Sequence, residues 1–291
     1  NVVFLTKMDS FGLDIIRTVA ELRSRVSIWR RQGLSISLIP TMGSLHAGHL
    51  SLMKVGKERS DRVIATIFVN PLQFAPNEDF ETYPRRENSD VHKLIEEGVD
   101  LLFAPDVNEM YRSDATTTIN VAGLTDCLCG LSRPGFFDGV ATVVTKLLLQ
   151  SLPDIAIFGE KDYQQLLVIK RLSTDLDIPV EIIGAPTIRE EDGLALSSRN
   201  IYLDAKSRSV APSMYNILSQ HASNISNGND IKKSLKLAKQ HMHDSGFEKI
   251  EYLDLRSSQT LQTSNDIKRP SRLFAAAWLG STRLIDNMAI T

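Results

Sequence analysis

The sequence predicts an α/β protein, a parallel sheet covered by helices on both faces and followed by a smaller α+β domain. Three observations carry this. Near-continuous apolar runs of strand length recur through the first two-thirds of the chain, amphipathic segments separate them, and the texture turns polar and helical after Pro186. At 291 residues, 42% of them hydrophobic, the chain has material for one large core or two modest ones. The predicted division is a domain of residues 1–186 and a domain of residues 187–291.

The elements follow in order. Ser35 to Ile39 (SISLI) reads as a buried strand and Leu50 to Arg59 as the helix after it. Val63 to Val69 (VIATIFV) is strand-like, Asn88 to Glu97 helical and Leu101 to Ala104 a short strand. Ala141 to Ser151 is a helix, Ile155 to Phe158 a strand and Gln164 to Asp175 a helix. This alternation is Rossmann-like, and such sheets take ligands at the carboxyl ends of their strands. Beyond Pro186 come helical segments Asp204 to Gln220 and Asp230 to His243 and a strand from Ile250 to Arg256. A strand pair, Leu273 to Leu279 and Arg283 to Asn287, turns at Gly280-Ser281.

Composition excludes several classes. With 33 basic against 35 acidic residues and no basic stripe interleaved with aromatics, a nucleic-acid partner is not expected. The longest apolar stretches, such as Val140 to Leu149, are too short or interrupted to span a bilayer, and the N-terminus has no basic region leading an apolar block. Cys127 and Cys129, two apart, are badly spaced for a disulfide and make only half of a thiolate metal site, so they read as reduced thiols in a cytoplasmic protein.

The stretch "IPTMGSLHAGHLSLM" (Ile39 to Met53) has the glycine spacing of a nucleotide P-loop, Gly43 and Gly48, but His49 stands where that loop needs lysine. Transfer of a γ-phosphoryl group is therefore disfavoured. A helix starting near Gly48 would turn its unpaired amides, its positive dipole end and both His46 and His49 toward an anion. Two histidines three apart also suit one face of a surface helix. Zinc lacks the glutamate of a His-Glu-x-x-His arrangement and a third ligand.

His46-Ala47-Gly48-His49 resembles the His-x-Gly-His signature of the nucleotidyl-transferring α/β superfamily that includes class I aminoacyl-tRNA synthetases. Four further stretches, "TIFVNPLQFAPNEDFETYPR" (Thr66 to Arg85), "SRPGFFDGVATVVTKLL" (Ser132 to Leu148), "FGEKDYQQL" (Phe158 to Leu166) and "REEDGLALSSRNIYL" (Arg189 to Leu203), narrow it. With Pro40-Thr41-Met42-Gly43 and the closing "TRLIDN" (Thr282 to Asn287), they resemble the pantothenate synthetase (pantoate–β-alanine ligase) family in order and spacing, from about residue 15 to the end.

The resemblance implies an ATP-dependent ligase. Pantoate's carboxylate attacks the α-phosphate of ATP, pyrophosphate leaves, and the amine of β-alanine then displaces AMP, with magnesium accompanying the triphosphate. His46 and His49 match the paired histidines on the triphosphate, His49 at the family's proton-donor position, and Met42, Gly43 and Gly48 belong to the same ATP-binding segment. Asn70 and Gln73 match substrate recognition, Gln73 for pantoate and β-alanine, and Gln165 is the second pantoate glutamine.

Gly159, Glu160, Lys161 and Asp162 match an ATP-binding turn, Lys161 neutralising phosphate and Asp162 accepting from ribose hydroxyls. Leu196, Ser197, Ser198 and Arg199 match the family's mobile phosphate loop, and Ile188 its aliphatic adenine contact. Catalytic weight falls on His46, His49, Lys161 and Arg199. A symmetric homodimer is also implied.

The chain departs from the family pattern in two places. Phe136 stands in "RPGFFDG" where histidine is expected, leaving Asp138 as a weak polar substitute, and Ala195-Leu196 replaces a Lys-Met-like pair. Residues 1–13 extend beyond the family's usual start. Two other functions compete. An adenylyltransferase of the same superfamily would leave an AMP-capped product in place of free AMP and an amide, and a non-catalytic ligand sensor on the same fold would bind ATP without turnover.

Overall fold

The computed structural model describes residues 12–76 and 78–290, so 1–11 of the N-terminal extension lie outside the described residues. In chain order the elements are β1 (Asp14–Ile16), α1 (Val19–Arg31), β2 (Ile36–Thr41), α2 (Ala47–Arg59), β3 (Arg62–Ile67), α3 (Glu87–Glu96) and β4 (Leu101–Phe103). They continue with α4 (Val107–Met110), α5 (Cys129–Ser132), α6 (Phe136–Ser151), β5 (Ile155–Gly159), α7 (Tyr163–Asp175) and β6 (Glu181–Ala185). Last come α8 (Ala205–Val210), α9 (Ser213–Ser226), α10 (Ile231–Ser245), β7 (Lys249–Ser257), β8 (Ser271–Leu279) and β9 (Thr282–Ile290). Single 3₁₀ turns occupy Pro71–Gln73, Glu160–Asp162 and Ser198–Tyr202.

The chain packs as two compact units. The first holds the described residues up to Val121 together with 134–159 and 168–185, and the second holds 122–133, 160–167 and the chain from Pro186. No helix among the described residues is long and apolar enough to cross a membrane.

The first unit is built on a parallel six-stranded sheet in the order β1-β4-β3-β2-β5-β6. The predicted class is borne out there. The chain winds outward from β2 through β3 to β4 and then returns to lay β5 on the other side of β2, so the topological switch point lies between β2 and β5. Ligand crevices of such sheets open outside the carboxyl ends of the two strands at the switch. Those ends lead into Met42 to His49 after β2 and Glu160 to Asp162 after β5.

Ile36, Leu38 and Ile39 on β2 and Ile64 on β3 are fully buried, as expected of strands covered on both faces. Helix α1 was not predicted, although Thr18 and Glu21 form a capping box at its start. Helix α6 begins a turn and a half earlier than its periodicity implied. There Gly139 is irreplaceable, because a Cβ would lie 2.2 Å from the carbonyl oxygen of Leu72.

The second unit carries an antiparallel sheet in the order β7-β8-β9, the last two joined through Gly280-Ser281 as predicted. Leu218 and Ile225 of α9 and Ala238 and Met242 of α10 pack with Leu253, Leu273 and Ala277 of the sheet. The single helix predicted over Asp204 to Gln220 is instead two, α8 and α9. Pro212 has no N–H to continue the hydrogen-bond ladder and stands at the start of the second. Cys127 and Cys129 are both free thiols.

Two titratable groups give this unit an acid sensitivity. His221, 2% exposed on α9, has its Nε2 3.2 Å from Nδ1 of His241 on α10, and its own Nδ1 has no partner. Burial, and after it the neighbouring His241, hold His221 below its ordinary value. Burial opposes the charge on Glu251, but hydrogen bonds from Arg283, Ser132 and Trp278 outweigh it and bring the carboxyl down to about 2.

Both folded values are depressed, so each contribution is complete above the ordinary value and is lost as pH falls from there through the folded value. The melting temperature is expected to drop in two stages on acidification, one below about 6.5 and one between about 4.5 and 2. His221→Leu should remove the first stage only. A parent chain whose melting temperature stays level from pH 7 to pH 5 would contradict this.

Candidate active site

The first unit assembles the histidine segment from β2 outward. Thr41 closes the strand, its Oγ1 donating to the carbonyl of Thr66 at 2.6 Å and accepting the amide of Gly43 at 3.1 Å. Gly43 has φ +80, a conformation open to glycine, and the next residue, Ser44, also lies at positive φ. Asp90 of α3, 1% exposed, accepts the amides of Ser44 and Leu45 at 2.7 and 2.8 Å. Lys93, one turn on, donates to the carbonyl of Leu45 at 2.6 Å. The turn is thus held by a helix 45 residues away in sequence.

Helix α2 starts at a cap made by the two histidines themselves. His46 is the N-cap, and its Nδ1 accepts the amide of Gly48 at 3.2 Å. The Nδ1 of His49 accepts the amide of His46 at 3.4 Å, completing a capping box with imidazoles where serine and glutamate usually stand. The ring centroids are 4.0 Å apart. Because each Nδ1 accepts a backbone proton, each neutral ring carries its own proton on Nε2, which makes both Nε2 atoms donors.

This narrows the expectation that unpaired helix amides face the anion. The amides of Gly43, Ser44, Leu45, His46, Gly48 and His49 all donate inside the chain. The segment therefore offers imidazole donors rather than a nest of N–H groups. The first turn of α2 contains no acidic residue to offset its positive end.

Asn70 and Gln73 lie at the 3₁₀ turn that follows β3. Asn70, 1% exposed, spends its whole amide internally, with Nδ2 on Gln73 Oε1 and on the carbonyl of Gly139, both at 3.1 Å. Its Oδ1 accepts the amide of Leu72 and the hydroxyl of Tyr111, the latter at 2.9 Å. Asn70 therefore orients Gln73, whose Nε2 lies 3.1 Å from Met42 Sδ. Tyr111, unnoticed in the sequence, is held above its ordinary value by burial and stays a neutral donor. Phe136 packs edge-on against Phe137 at 4.8 Å, and Asp138 accepts from Asn120 at 2.9 Å.

β5 ends at Gly159, where a Cβ would meet nothing within 4 Å. In the second unit the turn continues as Glu160, Lys161 and Asp162, with Lys161 Nζ 3.9 Å from Asp162 Oδ2. Gln165 is half-buried on α7. The preceding Gln164 is structural, its Nε2 donating to the carbonyls of Leu124 and Cys127 at 2.8 Å.

Ile188 begins a short hairpin that returns at Leu196, whose amide donates to the Ile188 carbonyl at 3.0 Å. From there Ser197 caps the 3₁₀ turn, its Oγ accepting the amide of Arg199 at 3.3 Å, and Ser198 and Arg199 open that turn. The predicted residues divide between the units: Met42, Gly43, His46, Gly48, His49, Asn70, Gln73 and Gly159 lie in the first, and Glu160 to Asp162, Gln165, Ile188 and 196–199 in the second.

A family model described as pantoate-beta-alanine ligase matches residues 14–289. The chain belongs to the pantoate–β-alanine ligase family. A pantothenate synthetase of Paramagnetospirillum magneticum is 52% identical over 281 residues, covering 97% of this chain and 99% of the relative. Among solved structures, the pantothenate synthetase of Thermus thermophilus superposes with a TM-score of 0.90 at 42% identity, over 96% of this chain and 99% of the other.

The pantoate–β-alanine ligase of Francisella tularensis, complexed with beta-gamma ATP and beta-alanine, gives a TM-score of 0.81 at 36% identity, over 96% and 98%. Membership in the pantoate–β-alanine ligase family bears out the resemblance carried by the motifs and makes the chain a ligase.

Proposed function

We propose that the chain condenses (R)-pantoate with β-alanine to give pantothenate at the expense of ATP, through a pantoyl adenylate. A carboxylate oxygen of pantoate attacks the α-phosphorus, the bond to the bridging oxygen breaks, and pyrophosphate leaves. The β-alanine amine then attacks the acyl carbon, loses its proton, and expels AMP. The observation that carries this reading is the histidine-capped start of α2 beyond β2, in a chain that the ligase family model spans from residue 14 to 289. The Francisella relative, complexed with beta-gamma ATP and beta-alanine, supports the same substrates.

In this proposal the Nε2 protons of His46 and His49 follow the charge that grows on the triphosphate as pyrophosphate departs. Donors already oriented for that charge lower the barrier without reorganising. Lys161 and Arg199 add positive charge, Ser197 and Ser198 add hydroxyl donors, and Asp162 and Ile188 hold the nucleoside. Gln73, oriented by Asn70, and Gln165 bind pantoate, and Gln73 also serves β-alanine. Amides present donors and acceptors to hydroxyl and carboxylate groups without setting a fixed charge beside the reacting centre.

Magnesium belongs to the proposal as an ion carried by the triphosphate. Among the described residues no group of three His, Cys, Asp or Glu side chains could hold a metal. Bound with the triphosphate it would offset phosphate charge, and no step is assigned to it. A symmetric homodimer, implied by the motif resemblance, completes the reading, and the reduced cysteines support a cytoplasmic setting.

The test is exchange of labelled pyrophosphate into ATP in the absence of β-alanine. Exchange is expected only when pantoate is present, and adding β-alanine should release free AMP with the amide. Folded protein that shows no pantoate-dependent exchange overturns the mechanism, and an AMP-capped product would identify an adenylyltransferase.

A further inference from the structure

The closing motif "TRLIDN" has no assigned role, yet two of its residues touch the roots of both loops of the second unit that the proposal gives to the nucleotide. We propose that Asp286 and Asn287, adjacent on β9, are positioning residues that hold the Lys161 turn and the root of the 197–199 loop in one frame. This rests on the nucleotide roles proposed above for Lys161 and Arg199.

Neighbouring residues of a strand point to opposite faces, so one short stretch of β9 can reach two loops at once. Asn287, 5% exposed, uses both protons of its Nδ2, one on the carbonyl of Glu160 and one on that of Lys161, each at 2.9 Å. Its Oδ1 accepts from Arg272, whose guanidinium stacks 3.9 Å from the ring of Tyr163 and lies 3.4 Å from Glu160 Oε2. The Glu160–Asp162 turn is therefore pinned by its backbone carbonyls, and these bonds leave the Lys161 side chain unused.

Asp286, also 5% exposed, takes a bidentate pair from Arg189 at 2.6 and 2.9 Å, and its Oδ1 accepts the amide of Asn287 at 2.8 Å. Arg189 also donates to the carbonyl of Gly193 at 3.1 Å and stacks 4.1 Å from the ring of Tyr215. It thus ties β9 to the hairpin that returns at Leu196 and leads into Ser197. On the far side, Asn200 donates to the carbonyl of Ala195 at 3.1 Å.

The chemistry of the pair is not interchangeable. A carboxylate at 287 could still accept from Arg272 but would face two carbonyl oxygens with no proton to give. A carboxamide at 286 would keep its shape and lose the charge that holds Arg189.

The test is a double-mutant cycle on pantoate-dependent pyrophosphate exchange, comparing the parent, Asn287→Asp, Lys161→Ala and the double variant, with melting temperatures alongside. If Asn287 acts through Lys161, Asn287→Asp lowers kcat by about 10²-fold in the parent. In the Lys161→Ala background it then lowers kcat by no more than about threefold. The same cycle with Asp286→Asn and Arg199→Ala reads the other loop and decides the matter should Asn287→Asp not fold.

Equal losses in both backgrounds overturn the inference, as does parental exchange in folded Asn287→Asp. Failure of both Asn287→Asp and Asp286→Asn to fold also overturns it, since the dyad is then only part of the core. Lys161→Ala exchanging at the parental rate overturns this inference together with the role it rests on. A slow Lys161→Ala with additive Asn287→Asp overturns this inference alone.

Discussion

Replacing His49 by alanine is expected to cut pantoate-dependent pyrophosphate exchange by about 10²–10³-fold, the usual cost of deleting one preoriented donor to transition-state charge. The loss should fall on kcat, with the KM for ATP changed far less, because the hydrogen bond strengthens only as the pyrophosphate charge develops. His49 also accepts the amide of His46, so the variant should lose about 1 kcal/mol of helix-start stability, too little to unfold the chain. Steady-state exchange with a urea titration separates the two effects. Exchange at the parental rate would remove His49 from the chemistry.

Replacing Asp90 by alanine should do damage of a different kind. Its carboxylate is 1% exposed and accepts the amides of Ser44 and Leu45, which have to be held while Gly43 and Ser44 sit at positive φ. Without it a buried donor, the amide of Leu45, and a part-buried one, the amide of Ser44, are orphaned, at about 1–3 kcal/mol for the buried one, and the turn before His46 loosens. Both stability and exchange should fall, the latter by about 10- to 10²-fold, since a shift of order 1 Å at the donors is enough. Asp90→Asn is not a mild version, because its amide group would set N–H against N–H at one of the two positions. A urea midpoint unchanged in Asp90→Ala would show that the turn keeps its shape unaided.

These two variants mark what was and was not legible beforehand. The strand-helix alternation around SISLI and VIATIFV was readable because strands buried on both faces are apolar throughout, and the sheet between β2 and β5 follows from it. His46 and His49 were readable because their spacing is local. Asp90 was not, since in the sequence it is an ordinary acidic residue in the first turn of a predicted helix, and its bond to Ser44 spans 46 positions.

Tyr111 and Asp286 were hidden for the same reason, their partners Asn70 and Arg189 lying 41 and 97 residues away. The split of α8 from α9 could have been read from Pro212. β1 could not, being three residues long and meaningful only beside β4. For Asn70 the sequence pointed to substrate recognition, and the contact that only the fold reveals is the inward bonding of its amide to Gln73 and Gly139.

The imidazole cap on α2 has a consequence for how this motif is interpreted elsewhere. A side chain that closes a helix and, in the proposed mechanism, also delivers protons is kept by selection on folding as well as on turnover. A descendant that had abandoned catalysis would still lose about 1 kcal/mol of helix-start stability by mutating either ring. Persistence of the pair in some distant homologue is therefore testimony to an intact helix start, and catalysis there has to be argued from other residues.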